Sequence, residues 1–351
     1  MRLFSKIRTL FARFRQTTES EFITETVSVA KDAPEFKPSS NKSEVLIFDP
    51  EKRIFVLKRR VAKVALYFPE QQRIVLNDNH GSTEHITFST EIGNNAIPIS
   101  GYWDGLEKPR VGLYDSQNNR FVLKTDRQSE LILSYDQTAL NQPYVPLVGD
   151  WNGDGLDTVG LYNIATGVFY LKNNTLQESV PDLIFNSQPV HEEIIPLVGR
   201  WYGDNRDAIG IYDKKAAIFY LKSLIESEFN SDRQFIFGIG NPKTIPLVGD
   251  WDGDGIANIG IYEYDKGLFN LHNRHEGGLA DNFFLFGPVN EKNLPLVGDW
   301  DGDGSDSIGI YDVESGVAYL SNTNQAGMAD QVISFETGGQ RAIPFVIRQI
   351  I

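Results

Sequence analysis

The sequence predicts an all-β fold, a β-propeller of six four-stranded blades whose N- and C-terminal strands close the ring. Three observations predict it. All five tryptophans, Trp103, Trp151, Trp201, Trp251 and Trp300, hold one position of one recurring phrase and are spaced by 48, 50, 50 and 49 residues. A period near fifty marks a repeat architecture. Each phrase is followed by the same succession of short apolar runs separated by polar turns, and four such strands per repeat make one blade. The pattern also runs past both ends of the tryptophan-marked copies in complementary fragments. Joining them completes a last blade and removes two sheet edges that would otherwise invite association.

In chain order, residues 1–16 (MRLFSKIRTLFARFRQ) contain five cations and no acid. Leu3, Phe4, Ile7, Leu10, Phe11 and Phe14 share one helical face, so the segment predicts an amphipathic basic helix. Such a helix suits an anionic membrane surface, or docks on a partner protein or on the propeller. It lacks the uninterrupted apolar core and small-residue cleavage site of a secretory signal, and an Arg-rich transit-like peptide is the third reading. A cytoplasmic or peripheral-membrane setting is favoured, and an extracellular one stays open. Residues 17–43 are polar and read as a flexible linker. The propeller then occupies 44–351.

Val45–Phe48 and Ile54–Leu57 form a hairpin-like pair ahead of the first repeat, which leaves seven blades as the alternative count. Val64–Tyr67 lies 47 residues before Tyr114 and is followed by Ile74–Leu76 and Ile86–Phe88. Five full repeats open at Pro98, Pro146, Pro196, Pro246 and Pro295. Their second strands end at Tyr114, Tyr162, Tyr212, Tyr262 and Tyr311, and an apolar triplet follows about eight residues later. Pro344–Ile347 falls 49 residues after Pro295, where a new blade opens.

Composition fits this reading. The 351 residues include 31 Gly and 16 Pro, enough for many turns, and no cysteine, so disulfides and thiolate metal sites are excluded. No apolar run is long enough for a membrane-spanning helix. The net charge is −14 in total and +5 over the first sixteen residues, hence −19 for the rest. A body this acidic argues against nucleic acid as a partner.

The chemistry sits in the recurring phrase. Counting from the residue before the tryptophan, Asp250, Asp252 and Asp254 stand at positions 1, 3 and 5 with glycines between and after. Ca²⁺ takes six to eight oxygens, and alternate residues of a tight loop can turn three carboxylates inward. The carbonyl of Ile256 and the amide of Asn258 are further candidates. The matching sets are Asp150, Asn152, Asp154, Leu156 and Thr158, and Asp299, Asp301, Asp303, Ser305 and Ser307. About three Ca²⁺ sites are therefore expected, with Asp157 and Asp306 at position 8 helping through water or charge. The residue at position 12 is not Glu and strands flank the loop, so this is no EF-hand. The plainer reading is an Asp-Gly turn without metal. Two copies have lost their acids. The first keeps Asp104 and gains Arg110, and the other keeps Asp204 and gains Arg206. A guanidinium paired with the surviving carboxylate would replace the metal there.

The D-x-[DN]-G-D-G turn, the I-G-I-Y strand after it, and Phe237-Gly238 and Phe286-Gly287 before the next turn resemble the FG-GAP family, also called the integrin-α-like or VCBS-type repeat. The resemblance covers roughly 61–347. It implies a propeller with calcium in a hairpin loop of each blade and Pro-Leu-Val-Gly as the first strand. The chain departs from the family at position 9, where Thr158, Asn258 and Ser307 replace Asp.

No G-x-S-x-G or phosphate-binding loop is present, and the five histidines do not recur at ligand spacing. The expected function is a non-catalytic, calcium-stabilised module that binds a protein or glycan. The alternative is a carbohydrate-active enzyme or lectin with a site on the propeller face. The tryptophans are candidate sugar platforms, although their place beside the turns favours packing between blades.

Overall fold

The computed structural model describes residues 44–49, 54–77, 83–105, 108–125, 129–134, 143–175, 180–224 and 232–350. The amphipathic segment and linker expected over 1–43 lie outside the described residues. The described residues form six antiparallel sheets, five of four strands and one of five.

Blade 3 shows the pattern. Tyr144–Gly149 is its innermost strand, followed by Thr158–Asn163, Val168–Leu171 and Leu183–Asn186. Blades 2, 4, 5 and 6 repeat it over 97–134, 194–236, 244–285 and 294–334. Each Pro-containing strand is innermost, which is tolerated because its free edge faces the ring axis and needs no ladder partner. The innermost strands touch in cyclic order, from Ile97–Gly101 through Tyr144–Gly149, Ile194–Gly199, Thr244–Gly249 and Leu294–Gly298 to Ile343–Ile350 and back.

Blade 1 closes the ring. Ile343–Ile350 pairs antiparallel with residues 60–67 of the strand Ile54–Phe68, which continues to Arg73–Asn77 and Thr83–Thr87. The one-plus-three closure read from the sequence is therefore present. The seven-blade alternative is not. Glu44–Asp49 pairs with the first half of the same strand, Ile54 to Arg59, so this hairpin extends blade 1. One continuous strand of 15 residues is long enough to serve both partners.

The core lies between blades. Each of its apolar clusters draws on two neighbours, as where Ile99, Trp103, Tyr114 and Phe121 of blade 2 meet Val159 and Leu161 of blade 3. All five tryptophans are buried there. Their indoles explain the glycine two residues earlier, because a Cβ on Gly199 would sit 2.5 Å from the Trp201 ring. The glycine of I-G-I-Y has a similar origin. A Cβ on Gly160 would lie 2.6 Å from Leu171 on the next strand.

At the outer side of the junction between blades 1 and 2, Glu130 gathers four donors. Its carboxylate accepts from Ser89 N at 2.7 Å, Thr90 N at 3.0 Å, Thr90 Oγ1 at 2.6 Å and Lys124 Nζ at 2.7 Å. Lys124 is itself buried and stands 5.0 Å from the centre of the Phe88 ring. Burial works to raise the Glu130 pKa, but these hydrogen bonds prevail and pull it down to about 2.

Candidate metal centre in the acidic turns

Each acidic turn joins the innermost strand of a blade to its second strand. The antiparallel pairing of Gly249 with Asn258 fixes the two ends of the blade 5 loop, and Gly298 with Ser307 does the same in blade 6. Gly253 and Gly255 have φ of 72° and 85°, the left-handed backbone that lets the loop curl and aims alternate side chains inward. The turns surround one mouth of a central cavity of about 460 Å³, whose walls include Val148, Val198, Val248, Val297 and Val346.

In blades 5 and 6 the three carboxylates converge. Oxygens of Asp250, Asp252 and Asp254 lie within 4.8 Å of one another, and so do those of Asp299, Asp301 and Asp303. An ion held at about 2.4 Å from each oxygen spans this separation. Asp250 Oδ2 accepts from Gly255 N at 2.7 Å, whereas its buried Oδ1 has no hydrogen-bond partner. An orphaned carboxylate oxygen inside an acidic loop is the polar atom a hard cation satisfies. In blade 6, Asp299 Oδ1 accepts from Gly302 N at 2.6 Å and Oδ2 from Gly304 N at 2.9 Å. Burial, followed by neighbouring carboxylates, pushes Asp250 and Asp299 up to about 6 against the amide hydrogen bonds that oppose it.

Blade 3 differs. Asp150 takes three backbone amides, from Gly153, Asp154 and Gly155, and burial raises its pKa. Asn152 Nδ2 donates to Asp154 Oδ2 at 3.0 Å, so an amide dipole already relieves part of the repulsion. The residues at position 9 turn into the blade. Thr158 Oγ1 donates to the carbonyls of Gly149 and Lys172, and Ser307 Oγ to those of Gly298 and Ser321. Asn258 Oδ1 accepts from Trp251 N at 3.0 Å. At position 7 the amides of Leu156, Ile256 and Ser305 donate to Asp154, Asp254 and Asp303. Their side chains reach the neighbouring turn, with Leu156 over Gly105, Ile256 over Gly203 and Ser305 over Gly253.

The two altered turns carry the ion pairs their sequence suggested. Arg110 Nε donates to Asp104 Oδ2 at 2.6 Å. Arg206 donates to Asp204 Oδ2 through Nε at 3.1 Å and Nη2 at 3.0 Å. Tyr202 replaces the position-3 acid in blade 4, and the Arg233 guanidinium stacks 4.8 Å from its ring centre.

Position 8 has a role that sequence reasoning missed. Its amide donates to the position-1 carbonyl of the preceding blade at five junctions: Asp157 to Tyr102, Asp207 to Asp150, Ala257 to Arg200, Asp306 to Asp250 and Ala62 to Asp299. Where position 8 is Asp, its carboxylate also accepts the position-1 amide, at 2.9 Å for Asp157 and Asp207 and 3.0 Å for Asp306. These acids fasten blades together rather than only lending charge to a turn. At the sixth junction position 8 is Pro109, which has no N–H to give. A second missed signal is Asp182, Asp232, Asp281 and Asp330, each of which caps the loop between the third and fourth strands by accepting a backbone amide. Their regular spacing made them findable. The buried tryptophans, by contrast, are excluded as sugar platforms.

No protein-family model and no curated protein sequence matches the chain. Among solved structures, it is similar to an Agrocybe aegerita lectin described for specific recognition of non-reducing terminal N-acetylglucosamine. That match has 11% identity and a TM-score of 0.50 over 81% of this chain and 94% of the lectin. It is also similar to virginiamycin B lyase from Staphylococcus aureus, at 8% identity and TM-score 0.40, covering 80% and 89%. A third is BBS1N in complex with ARL6DN, at 11% identity and TM-score 0.40, covering 68% of each chain. An identity as low as that to the lectin speaks for the fold alone, and by its own sheet topology the chain is a six-bladed β-propeller with its acidic turns at one mouth of the ring.

Proposed function

We propose that the protein is a non-catalytic interaction module whose ring is stiffened by calcium in the turns of blades 3, 5 and 6. The observation that carries this reading is the orphaned Asp250 Oδ1 within a three-carboxylate loop. Asp250, Asp252 and Asp254 would hold one ion, and Asp299, Asp301 and Asp303 a second. Asp150, Asn152 and Asp154, with one carboxylate fewer, would hold a third more weakly. The ion would supply the positive charge that blades 2 and 4 obtain from Arg110 and Arg206.

Without a bidentate Glu at position 12 the expected affinity is modest, on the order of the 10⁻⁴–10⁻³ M of extracellular modules. Titration calorimetry should then show millimolar-range binding. Asp252→Ala and Asp301→Ala should each remove one site, whereas Asp104→Ala leaves the stoichiometry unchanged. No heat at millimolar calcium would reduce the turns to plain Asp-Gly hairpins.

A second reading, a glycan ligand, has one observation behind it. A polar groove between blades 1 and 2 is lined by Thr90, Glu91, Asn94, Gln117, Asn118 and Arg120. Arg120 is held there by Asp115 at 3.2 Å, and amides flanking a fixed guanidinium suit sugar hydroxyls. Binding on a glycan array that survives Asn118→Ala combined with Arg120→Ala would rule this groove out.

A further inference from the structure

Asn152–Gly153 is the only Asn-Gly pair in the chain, and it occupies positions 3 and 4 of the acidic turn in blade 3. Such a pair is labile for a general reason. Glycine has no side chain to screen its backbone nitrogen, which can reach the side-chain carbonyl carbon of the asparagine before it. Asn152 is exposed and lies in no strand, and Gly153 has φ of 77°.

The turn also assembles the groups such an attack needs. Gly153 N, the nucleophile, donates to Asp150 Oδ1 at 2.7 Å, so a proton acceptor already touches it. Asp154 N donates to Asn152 Oδ1 at 3.0 Å, the atom on which negative charge gathers when Cγ becomes tetrahedral. Asn152 Nδ2, the leaving group, faces Asp154 Oδ2 at 3.0 Å. These contacts fix the orientation of the side-chain amide. The reverse placement would set an N–H against an N–H and an oxygen against a carboxylate.

We propose that Asn152 is a self-modification site, deamidated within the folded turn to aspartate. Gly153 N bonds to Asn152 Cγ, the Cγ–Nδ2 bond breaks, and the Gly153 proton passes by way of Asp150 to the departing nitrogen, which leaves as ammonia. A succinimide ring remains. Water then adds to the former side-chain carbonyl, the ring N–Cγ bond breaks, and the nitrogen recovers a proton from that water. The acid so formed gives its proton to ammonia, so asparagine and water have become aspartate and ammonium. Because the Asp154 N–H polarises the side-chain carbonyl, water opens the ring there, and the product keeps an ordinary backbone instead of a β-linked isoaspartate. The product has a place prepared for it. In blade 6 Asp301 holds the same position and accepts the same amide, from Asp303 N at 3.2 Å, and its carboxylate converges with those of Asp299 and Asp303. Deamidation therefore removes the amide donor that faces Asp154 and gives blade 3 the three carboxylates of blades 5 and 6. That this tightens the third calcium site rests on the calcium reading, whereas the covalent step does not.

The test ages the full-length protein at mildly alkaline pH. Peptide mass spectrometry locates the modification, and fragmentation separates aspartate from isoaspartate. Asn152 should deamidate more than an order of magnitude faster than the exposed Asn94 and Asn118, each of which precedes another asparagine. Aspartate should outweigh isoaspartate in the folded protein, and the balance should reverse in urea, where no amide is held on the side-chain carbonyl. Asn152→Gln should stay intact, because the larger ring closes more slowly. Modification of Asn152 in urea but not in the folded protein would overturn the proposal, and so would a folded product that is mostly isoaspartate. Calorimetry on the aged protein and on Asn152→Asp should show tighter calcium binding than fresh protein. Unchanged binding beside confirmed deamidation would overturn the tightened third site. No calcium binding in any of the three samples would sink the calcium reading itself and leave the covalent step standing.

Discussion

At the scale of single residues, the acidic turns gather carboxylates whose repulsion a bound cation would relieve. Asp250 and Asp299 have pKa values raised to about 6 from the ordinary 3.8, chiefly by burial. A raised acid contributes stability that is fully present below pH 3.8 and is lost as pH rises through about 6. In EGTA the melting temperature should therefore fall across that interval, and calcium should offset the fall by favouring the ionised form. Asp250→Asn should flatten the EGTA profile, raise the melting temperature at pH 7 without calcium, and shrink the calcium-dependent increment. An EGTA profile unchanged by Asp250→Asn would show that this carboxylate is not the source. The tryptophans sit at the other extreme, buried in the apolar clusters, with the indole N–H groups of Trp103, Trp251 and Trp300 donating to backbone carbonyls. Trp201→Ala should cost about 3–5 kcal/mol by chemical denaturation, because its indole fills the space between two blades. The packing of the tryptophans between blades was legible from their fixed place beside the turns, although the sequence also left them as candidate sugar platforms. The orphaned Oδ1 of Asp250 was not, because the orientation of one carboxylate depends on loop torsions that no periodicity records.

At the scale of the element, the acidic turn exists in two chemical versions within one scaffold. The arginine version was legible from Arg110 and Arg206 arriving where acids are lost, and both ion pairs form. Arg110→Ala would remove the guanidinium that faces Asp104 Oδ2 at a largely buried site, at a cost of about 1–3 kcal/mol. Calcium should not recover that loss, since Tyr102 replaces the acid at position 1. Recovery in millimolar calcium would mean that the turn still binds the ion and that the arginine is not its substitute. The role of position 8 was hidden from the sequence for a physical reason. Asp157, Asp207 and Asp306 act on a residue 55, 57 and 56 positions earlier, in another blade, and a pattern read along one repeat looks only within the loop.

At the scale of the whole molecule, the fold was largely visible before any coordinates. A period of about fifty residues, four runs per period and complementary ends are global features, and they survive weak local copies. The hairpin at Glu44–Asp49 left a seventh blade open as the alternative because its local pattern equals that of a blade strand. Only the continuity of Ile54–Phe68 shows that it shares blade 1. Removing 343–351 should strip blade 1 of its innermost strand. An insoluble chain, or a melting temperature lower by more than about 10 °C, is expected. A truncated chain as stable as the full one would show that closure contributes little. The junction between blades 1 and 2 has a further consequence. Pro109 leaves it without the inner amide fastening found at the other five, and Glu130 ties it from the outside instead. A carboxylate pulled down to about 2 contributes stability above about pH 4.5 and loses it as pH falls through 2. Acid therefore loosens a seam that has no inner amide fastening to fall back on. On descending pH, hydrogen exchange should quicken first in the strands on either side of that seam, so the molecule has a preferred place to come apart although its outline is nearly symmetric.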